Sequence, residues 1–484
     1  MKTVLRLGCL LAAVGCCASA WAGTAHAEQS FEMGRFGKVV VYRPVARPTG
    51  VVLFVSGDGG WHLGVVGMAK HMVEAGLIVV GIDVRSYRKA INGPGDECRY
   101  YAADFEELAH AIEQRLELEQ YHLPVLAGYS SGATLVYAVM VQSPPGTFAG
   151  VLSLGFCPDL DLVRRPCRGS GLEYVMQGPE AKPKGLVYRP SQSNRTRWIV
   201  MQGQVDQVCD PGGTREFVAA TGHGELVELP RVGHGFGVER NWLPQFQQAQ
   251  LALAAGAVRP PPSPPQLRDL PLIEVPAAAG SLAAAAADDR RRFAVLLTGD
   301  GGWTGLDQDV AAALAARGIP VVAMSSLKYF WHARTPDEAA RDLDRIVRAY
   351  GERWQRSAVL LIGYSFGADV LPFLYNRLPR ETRARVQSIS LLGLSATASF
   401  EFHLSDWIPG SDGEGRPTVP EIAAIGGPVR VLCLYGEDET HSACPAVRRP
   451  GVEVAELEGG HHFDGDYAAL ARRILDFANA AGAR

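Results

Sequence analysis

The sequence has nine cysteines but no C-x-x-C pair, the cysteine spacing most typical of a structural zinc site. No G-K-[ST] follows its glycine-rich turns, which excludes the phosphate-binding P-loop of nucleotide-binding enzymes. Neither sign of charge predominates: 47 Lys and Arg stand against 51 Asp and Glu, which disfavours a nucleic-acid partner and a polybasic membrane contact. With 47% apolar and 20% charged residues, the composition is that of an ordinary globular protein. We therefore expect a globular chain with no bound metal and no other cofactor.

The first 27 residues have the pattern of a secretory leader. Lys2 and Arg6 precede an apolar stretch from 7 to 21, and Ala25-His26-Ala27 provides a small-x-small cleavage pattern. A lipoprotein signal at Cys16 is the alternative, although the leucine usual in such signals is missing from the preceding residues. The sequence therefore predicts export of a chain that begins near residue 28.

Six cysteines remain after this leader, and an even number in an exported chain permits disulfide bonds. Cys433 lies inside the strand-like run VRVLCLYG, so a buried thiol is an equally open alternative at that position. The sequence leaves the pairing of the six open.

The chain repeats one series of elements on either side of a proline- and alanine-rich segment at 258–292. In each half an apolar run ends in the word GDGG, and a helical pattern, a second apolar run and a G-x-S-x-G word follow. Strands that alternate with helices predict parallel sheets covered by helices on both faces. We therefore predict two tandem α/β-hydrolase-type domains at 28–257 and 293–484, joined by a linker at 258–292.

The G-x-S-x-G words place one serine in each half, at Ser130 and at Ser365. A lone match to so short a pattern is weak, because a chain with 54 glycines produces such matches by chance. Here each word follows an apolar strand and opens a helix, as the nucleophile elbow of an α/β-hydrolase requires. We therefore predict that both serines are candidate nucleophiles.

A nucleophilic serine needs a histidine base and an acid that orients it, in the chain order Ser, Asp or Glu, His for this fold type. In the first half Asp206 follows an apolar strand and His234 lies in the glycine loop VGHGF, which completes a candidate triad with Ser130.

The second half offers two acids and two histidines for the same roles. Asp438 and Glu439 follow the strand VRVLCLYG, and the word GGHHF contains His461 and His462. Aligning VGHGF with GGHHF favours His461 as the base. Counting from the glycine that ends the strand matches Asp206 to Glu439 rather than to Asp438. A difference of one residue between the two loops is easily accommodated, and we predict Asp438 as the acid. A metal cluster in HHFDGD is the alternative, although adjacent histidines do not share one face of a helix.

The word GDGGW occupies the position where α/β-hydrolases have a loop that donates one amide to the oxyanion hole. Backbone N–H groups that point at the developing negative oxygen provide much of the catalysis in ester hydrolysis. We predict Gly301 and Phe366, the residue after the nucleophile, as the two donors in the second half. The alternative is a glycine turn that places Trp61 and Trp303 in the core.

With these residues and the longer words GYSSGATLVYA, LIGYSFGADVLPFLYNRLP and FEFHLSDW, the chain resembles the AcvB/VirJ family of bacterial periplasmic virulence proteins. The resemblance covers nearly all the chain after the leader and implies the long, two-domain form. It implies a periplasmic serine hydrolase that cuts the ester joining lysine to phosphatidylglycerol. It also implies that activity belongs to the second half, at Ser365, Asp438 and His461.

A lysyl ester carries a cationic amine near the scissile carbonyl, so its pocket should contain carboxylates. Asp300 in the second GDGGW word is the candidate substrate-binding residue, and capping of the following turn is the alternative. The expected partner is an aminoacylated phospholipid at the membrane surface, and secretion-system components are possible partners. The other candidate functions are a general carboxylesterase and a non-catalytic binding or assembly factor for a secretion system.

Overall fold

A computed structural model describes residues 26–94, 98–193, 196–255, 263–278, 280–281, 286, 288–402 and 415–482. The predicted leader, residues 1–27, lies outside these ranges except for its last two residues. The described chain forms two large sheets, one in each half.

The first sheet has eight strands in the order β1-β2-β4-β3-β5-β6-β10-β11, and three short strands form a separate small sheet. Strand β2 pairs antiparallel with β1 and β4, and the remaining neighbours in the large sheet pair in parallel. The strands of the large sheet are β1 His26–Glu32, β2 Lys38–Pro44, β3 Gly50–Val55, β4 Leu77–Ile82, β5 Val125–Tyr129, β6 Gly150–Leu154, β10 Trp198–Gly203 and β11 Gly224–Leu229. The small sheet contains β7 Asp159–Leu160, β8 Tyr174–Gln177 and β9 Gly185–Tyr188.

The second sheet has seven strands in the order β12-β14-β13-β15-β16-β19-β20. Only the edge pair β12–β14 is antiparallel among these described strands. Its strands are β12 Leu272–Val275, β13 Arg292–Leu297, β14 Val321–Met324, β15 Ala358–Tyr364, β16 Val386–Leu392, β19 Arg430–Gly436 and β20 Val452–Leu457. A two-stranded ribbon joins β17 Thr397–Ala398 to β18 Arg416–Pro417.

The two sheets share one topology, because β12-β14-β13-β15-β16-β19-β20 corresponds strand for strand to β2-β4-β3-β5-β6-β10-β11. This is the α/β-hydrolase arrangement, and the first half adds the hairpin partner β1. The duplicated order confirms the predicted fold class of two tandem α/β-hydrolase-type domains.

Helices cover both sheets. In the first half they are α1 Val66–Glu74, α2 Val84–Ile91, α3 Tyr101–Arg115, α4 Ser131–Gln142, α5 Pro211–Thr221 and α6 Leu243–Ala255. In the second half they are α7 Gly305–Ala316, α8 Ser326–Tyr329, α9 Pro336–Arg353, α10 Phe366–Arg377, α11 Arg380–Arg383, α12 Thr418–Ala424 and α13 Tyr467–Gly482. No helix in the described part of the chain is long and apolar enough to cross a membrane.

The central strands are buried on both faces, which explains their unbroken apolar sequences. Along β3, Val51 and Leu53 point to one apolar cluster while Val52 and Phe54 point to another on the opposite face. Strand β13 divides its side chains between two clusters in the same way. This burial fixes the strand ends from which the candidate catalytic residues project.

Part of the predicted linker belongs to the second sheet. Strand β12 lies inside the segment 258–292 and pairs with β14. Its side chains Leu272 and Glu274 are buried, as in a strand of the sheet. The second domain therefore begins before residue 293, because an apolar strand covers the edge of its sheet.

The two halves contact each other through α3 and the segment that follows it. The side chain of Gln114 donates to the carbonyl of Phe402 at 2.9 Å, and the Trp331 indole donates to the carbonyl of Leu118 at 2.9 Å. Tyr121, Trp331 and Phe402 pack together in one buried cluster. The first half is therefore held against the second by apolar and polar contacts.

The six cysteines form three disulfides: Cys98–Cys167, Cys157–Cys209 and Cys433–Cys444. The alternative of a buried thiol at Cys433 is therefore wrong.

Candidate active sites

Ser130 and Ser365 occupy the same sharp turn in the two halves. Ser130 lies between β5 and α4 with φ 55° and ψ −124°, and Ser365 lies between β15 and α10 with φ 52° and ψ −120°. A positive φ is uncommon for a residue with a side chain and costs of order 1–3 kcal/mol. The matching strain in both turns is the geometry of a nucleophile elbow.

The glycines of these words are required by close backbone approach. A Cβ on Gly132 would lie 2.4 Å from the carbonyl oxygen of Val55, and a Cβ on Gly367 would lie 2.2 Å from that of Leu297. Because only glycine lacks this atom, the helix can start directly against the neighbouring strand.

The first site contains a fully hydrogen-bonded triad. His234 Nε2 lies 2.9 Å from Ser130 Oγ, and its Nδ1 lies 2.9 Å from Asp206 Oδ2. The Tyr129 hydroxyl donates to the carbonyl of His234 at 2.9 Å and so fixes the loop that carries the histidine. The structure therefore brings together all three residues predicted for this half.

Asp206 is held by its own loop. Its Oδ1 accepts hydrogen bonds from the amides of Val208 and Cys209, and its Oδ2 accepts one from the Gln202 side chain. The Cys157–Cys209 disulfide ties this loop to the segment after β6. These contacts fix the carboxylate against His234 before any substrate binds.

Asp206, Cys209 and His234 also lie close enough together to be considered as metal ligands. The sulfur of Cys209 is bonded to Cys157, so it is not available as the thiolate that a metal requires. The hydrogen bonds of Asp206 and His234 instead match a catalytic triad.

In the second site His461 pairs with Glu439, and the prediction of Asp438 was wrong. His461 Nδ1 is hydrogen-bonded to Glu439 Oε1, and Glu439 Oε2 accepts the amide of Gly436 at 2.7 Å. Glu439 lies three residues after the strand-ending Gly436, just as Asp206 lies three residues after Gly203. The spacing from this glycine was therefore the better signal, because both loops leave their strands in the same way.

Ser365 and His461 lie on the same side of the second sheet as their counterparts in the first. A Cβ on Gly393 would lie 2.6 Å from His461 Cε1, as one on Gly155 would lie 3.3 Å from His234 Cε1. The structure shows no hydrogen bond between Ser365 Oγ and the ring of His461. Catalytic hydrogen bonds are often long before substrate binds. The second site therefore still has the three residues of a triad, but they are less completely hydrogen-bonded than those of the first site.

The second histidine has a different environment. His462 Nδ1 lies 3.0 Å from the hydroxyl of Tyr364. Burial and the neighbouring His461 lower the pKa of His462. Because its hydrogen bond is to Tyr364 and Glu439 contacts His461, the geometry favours His461 as the base.

The carboxyl groups of Glu439, Asp300, Asp369 and Glu106 lie at or near the second site, and that of Asp307 caps the helix after the GDGGW word. Burial alone would lower the pKa of His461, but the hydrogen bond and charge of Glu439, with the charges of Asp300 and Asp369, raise it above its usual value. Burial and the charge of Asp300 raise the pKa of Glu106 to about 8. Burial is also the main cause of a raised pKa at Asp307. Because their pKa values are raised, Glu106, Asp307 and Asp369 favour the neutral form near neutral pH, and the negative charge beside His461 comes chiefly from Glu439, whose pKa is lowered.

Glu106 is the residue that sequence reasoning missed. It belongs to α3 of the first half, yet its Oε1 lies 3.2 Å from where a Cβ of Gly301 would be. The contact depends on the packing of one domain against the other, and no motif in the sequence signals it.

Gly301, the predicted oxyanion donor, makes a different contact in this structure. Its amide donates to Oδ1 of Asp300 at 3.1 Å. Gly299 is the glycine beside the nucleophile, since a Cβ on it would lie 3.4 Å from the Cβ of Ser365. Gly57 has the same place in the first site, where its Cβ would lie 3.0 Å from the Cβ of Ser130. Phe366 is the first residue of α10, where an amide has no acceptor within the helix, so its predicted role stays a prediction.

The first GDGGW word also contributes to the core, as the alternative interpretation expected for Trp61, whereas Trp303 of the second word is only partly buried. Trp61 is 2% exposed, and its indole donates to the hydroxyl of Tyr42 at 3.2 Å. A Cβ on Gly81 would lie 2.2 Å from the Trp61 ring, so the neighbouring strand leaves room for it. The tryptophan anchors the turn, while the first glycine of the word faces the serine.

The first site neutralises the aspartate that corresponds to Asp300. Asp58 Oδ1 accepts hydrogen bonds from Arg88 at 2.8 Å and from the hydroxyl of Ser131 at 3.1 Å. The carboxylate of the first GDGGW word is therefore compensated by a cation.

A sequence model of the family described as "Bacterial virulence protein (VirJ)" matches residues 49–154 and 291–481. No curated protein matches the sequence of the chain. Similar solved structures include esterase 2 of Thermogutta terrifontis, with 14% identity, 48% of this chain and 97% of that chain covered, and a TM-score of 0.33. An esterase domain from Rhodothermus marinus has 15% identity over 47% of this chain and 98% of its own, with a TM-score of 0.32. Est1E of Butyrivibrio proteoclasticus has 10% identity over 47% and 96%, with a TM-score of 0.30.

Proposed function

The chain belongs to the VirJ family of bacterial virulence proteins, and from this membership we propose that it is a periplasmic serine esterase. Its substrate is an aminoacyl-phosphatidylglycerol with a cationic amino acid such as lysine. The reaction takes place at Ser365, with His461 as base and Glu439 as the acid that orients it.

The observation that carries this proposal is the group of carboxyl groups around Ser365 and His461. Asp300 and Asp369 contribute to the raised pKa of His461, and burial together with the charge of Asp300 raises the pKa of Glu106 to about 8. Like charges held in a partly buried site are unfavourable unless a cation lies between them. The side-chain amine of a lysyl ester would relieve this repulsion on binding.

The first site provides an internal comparison within one chain. In the aligned words, Asp307 and Asp369 correspond to Val65 and Thr134, and Asp300 corresponds to the Arg88-paired Asp58. The accumulation of carboxyl groups is therefore a property of the second site and not a requirement of the shared fold.

In the proposed reaction Ser365 Oγ attacks the carbonyl carbon of the ester while His461 accepts its proton. Backbone amides stabilise the tetrahedral oxyanion, and Phe366 is one candidate donor. The intermediate collapses to an aminoacyl-serine, and phosphatidylglycerol leaves with the proton from His461. Water, deprotonated by His461, then releases the free amino acid and regenerates Ser365.

The test uses the purified chain and vesicles that contain lysyl-phosphatidylglycerol, alanyl-phosphatidylglycerol or phosphatidylglycerol alone. We expect release of lysine at a rate well above that of alanine, because only lysine has a side-chain amine for the carboxylates. Equal rates on the lysyl and alanyl esters would instead show that the side-chain amine is not recognised and would indicate a general carboxylesterase. Vesicle binding without release of either amino acid would indicate a non-catalytic binding or assembly factor.

A further inference from the structure

We propose that the first domain contains a second, independent catalytic centre that cleaves esters with an uncharged, apolar acyl group. This goes beyond the function proposed for Ser365. Ser130, His234 and Asp206 form the more completely assembled triad of the two, with both histidine contacts at 2.9 Å. A serine in a strained elbow with its base already hydrogen-bonded is the arrangement that nucleophilic catalysis needs.

The charge of the first site argues against a cationic substrate. Arg88 lies 2.8 Å from Asp58 and compensates the one carboxylate of its GDGGW word. Thr134, in the position of Asp369, donates its hydroxyl to the carbonyl of Cys157. Val65, in the position of Asp307, is fully buried. A substrate amine would therefore find no uncompensated carboxylate among these three positions.

Apolar side chains are exposed in the loops that carry the first triad. Val205 and Val208, on either side of Asp206, are 56% and 68% exposed. Leu63, just after the GDGGW word, is 69% exposed, and Val238, just after the His234 loop, is 48% exposed. Exposed large apolar side chains in the loops that carry one triad favour an apolar group as the ligand there.

In the described part of the second site, the four positions that match this apolar rim carry no large apolar side chain. Counted from the matching tryptophan, acid and histidine, the four positions are occupied there by Gly305, Asp438, His441 and Gly465. The two sites therefore differ in the apolar side chains of their loops as well as in their carboxyl groups. Both differences point to an apolar acyl group at Ser130 and a cationic one at Ser365.

The reaction at Ser130 needs only the ester and water. Ser130 Oγ bonds to the acyl carbon as His234 Nε2 takes the hydroxyl proton. The ester bond breaks, and the alcohol leaves with that proton. Water then attacks the acyl-serine, giving up a proton to His234, and releases the carboxylic acid.

The test measures hydrolysis of p-nitrophenyl octanoate and of lysyl-phosphatidylglycerol vesicles by the full chain and its Ser130→Ala and Ser365→Ala variants. We expect Ser130→Ala to lower octanoate hydrolysis by about 10³-fold or more and to leave lysine release intact, since the triad serine is indispensable to its own centre. Ser365→Ala should have the opposite pattern. Ser86→Ala, an exposed serine on α2, is the matched control.

Octanoate hydrolysis that survives in Ser130→Ala and disappears in Ser365→Ala would overturn the second centre and leave the function proposed for Ser365 standing. Octanoate hydrolysis that depends on Ser130, with no lysine release by any variant, would support the second centre and overturn the function proposed for Ser365.

Labelling of the wild-type chain with a fluorophosphonate, followed by peptide mapping, needs no folded variant. We expect label on Ser130, and label confined to Ser365 or absent from both serines would overturn the inference.

The apolar rim has its own readout. Val208→Ser should raise the KM for p-nitrophenyl octanoate and leave the hydrolysis of p-nitrophenyl acetate unchanged, because acetate is too short to reach the rim. In the Ser365→Ala protein, octanoate should also be hydrolysed faster than the p-nitrophenyl ester of lysine. Equal effects of Val208→Ser on both esters, or equal rates on octanoyl and lysyl esters, would overturn the assigned substrate class.

Discussion

At the scale of single residues, the second site is governed by the charges that face His461. Glu439 holds one nitrogen of its ring, and the charges of Asp300 and Asp369 reinforce the positive form. A base with a raised pKa is protonated, and therefore inactive, up to a higher pH than an ordinary histidine. The same carboxylates that suit a cationic substrate thus also set the pH at which the site becomes active.

Asp300→Asn should change both properties together. Removing the negative charge lowers the pKa of His461, so the acidic limb of the kcat/KM profile for lysyl-phosphatidylglycerol should move to lower pH. The value of kcat/KM at the plateau should fall by about ten- to a hundredfold, as for the loss of one hydrogen bond to a charged group. Steady-state rates from pH 5 to 9 check this. An unchanged profile and unchanged rates on lysyl and neutral esters would remove Asp300 from substrate binding.

Glu439→Gln should lower kcat for lysine release by about 10⁴-fold, because an amide no longer stabilises the imidazolium or its tautomer. Asp438→Asn is the matched control: it removes a carboxylate from the adjacent position and should cost less than about threefold. Circular dichroism of both variants checks that the fold is retained. A large loss with Asp438→Asn and a small one with Glu439→Gln would reverse the assignment of the acid.

At the scale of elements, the strand–turn–helix units could be predicted from the sequence, because the glycine spacing and the apolar strands determine them locally. The serines, His234, His461 and Asp206 follow from these units and from their order in the chain. For the acid of the second site we predicted Asp438, one residue before Glu439. The sequence does not decide between them, because the path of the loop determines which carboxyl group reaches the histidine. Strand β12 was missed because a short apolar stretch inside a proline- and alanine-rich segment resembles a linker.

Gly367→Ala should damage the second elbow. The added Cβ would lie 2.2 Å from the carbonyl oxygen of Leu297, so either the helix start or the strand must shift. We expect a loss of about 1–3 kcal/mol in the free energy of unfolding, together with a loss of lysine release. Gly426→Ala is the control, because the nearest atom to its Cβ is 4.0 Å away. Urea unfolding checks both variants, and equal midpoints for the two would contradict the close approach.

At the scale of the whole molecule, the duplication gives two sites that share topology and differ in charge and rim. Contact between the halves then places Glu106 of α3 beside the second GDGGW loop. This contribution could not be predicted from the sequence, because it depends on how two folded domains pack and not on any local pattern. It links the first domain to the proposed specificity of the second.

Glu106→Gln should remove a pH-dependent part of that specificity. The pKa of Glu106 is raised to about 8, so its carboxyl group becomes negative as the pH rises through that value. The preference of the wild-type chain for lysyl over alanyl esters should therefore increase between pH 7 and pH 9, after correction for spontaneous hydrolysis. Glu106→Gln should abolish this increase, while Glu107→Gln, an exposed neighbour on α3, should keep it. An increase that survives in Glu106→Gln would contradict the role of the first domain.

The central claim is that the serine of the second half hydrolyses the aminoacyl ester of a charged phospholipid. The most direct test is the initial rate of lysine release from lysyl-phosphatidylglycerol vesicles by the Ser365→Ala and Ser130→Ala variants, measured at equal concentrations of folded protein. The account predicts that Ser365→Ala releases no lysine above the vesicle background, while Ser130→Ala retains the wild-type rate. Full release by Ser365→Ala, or loss of release in Ser130→Ala alone, would contradict it.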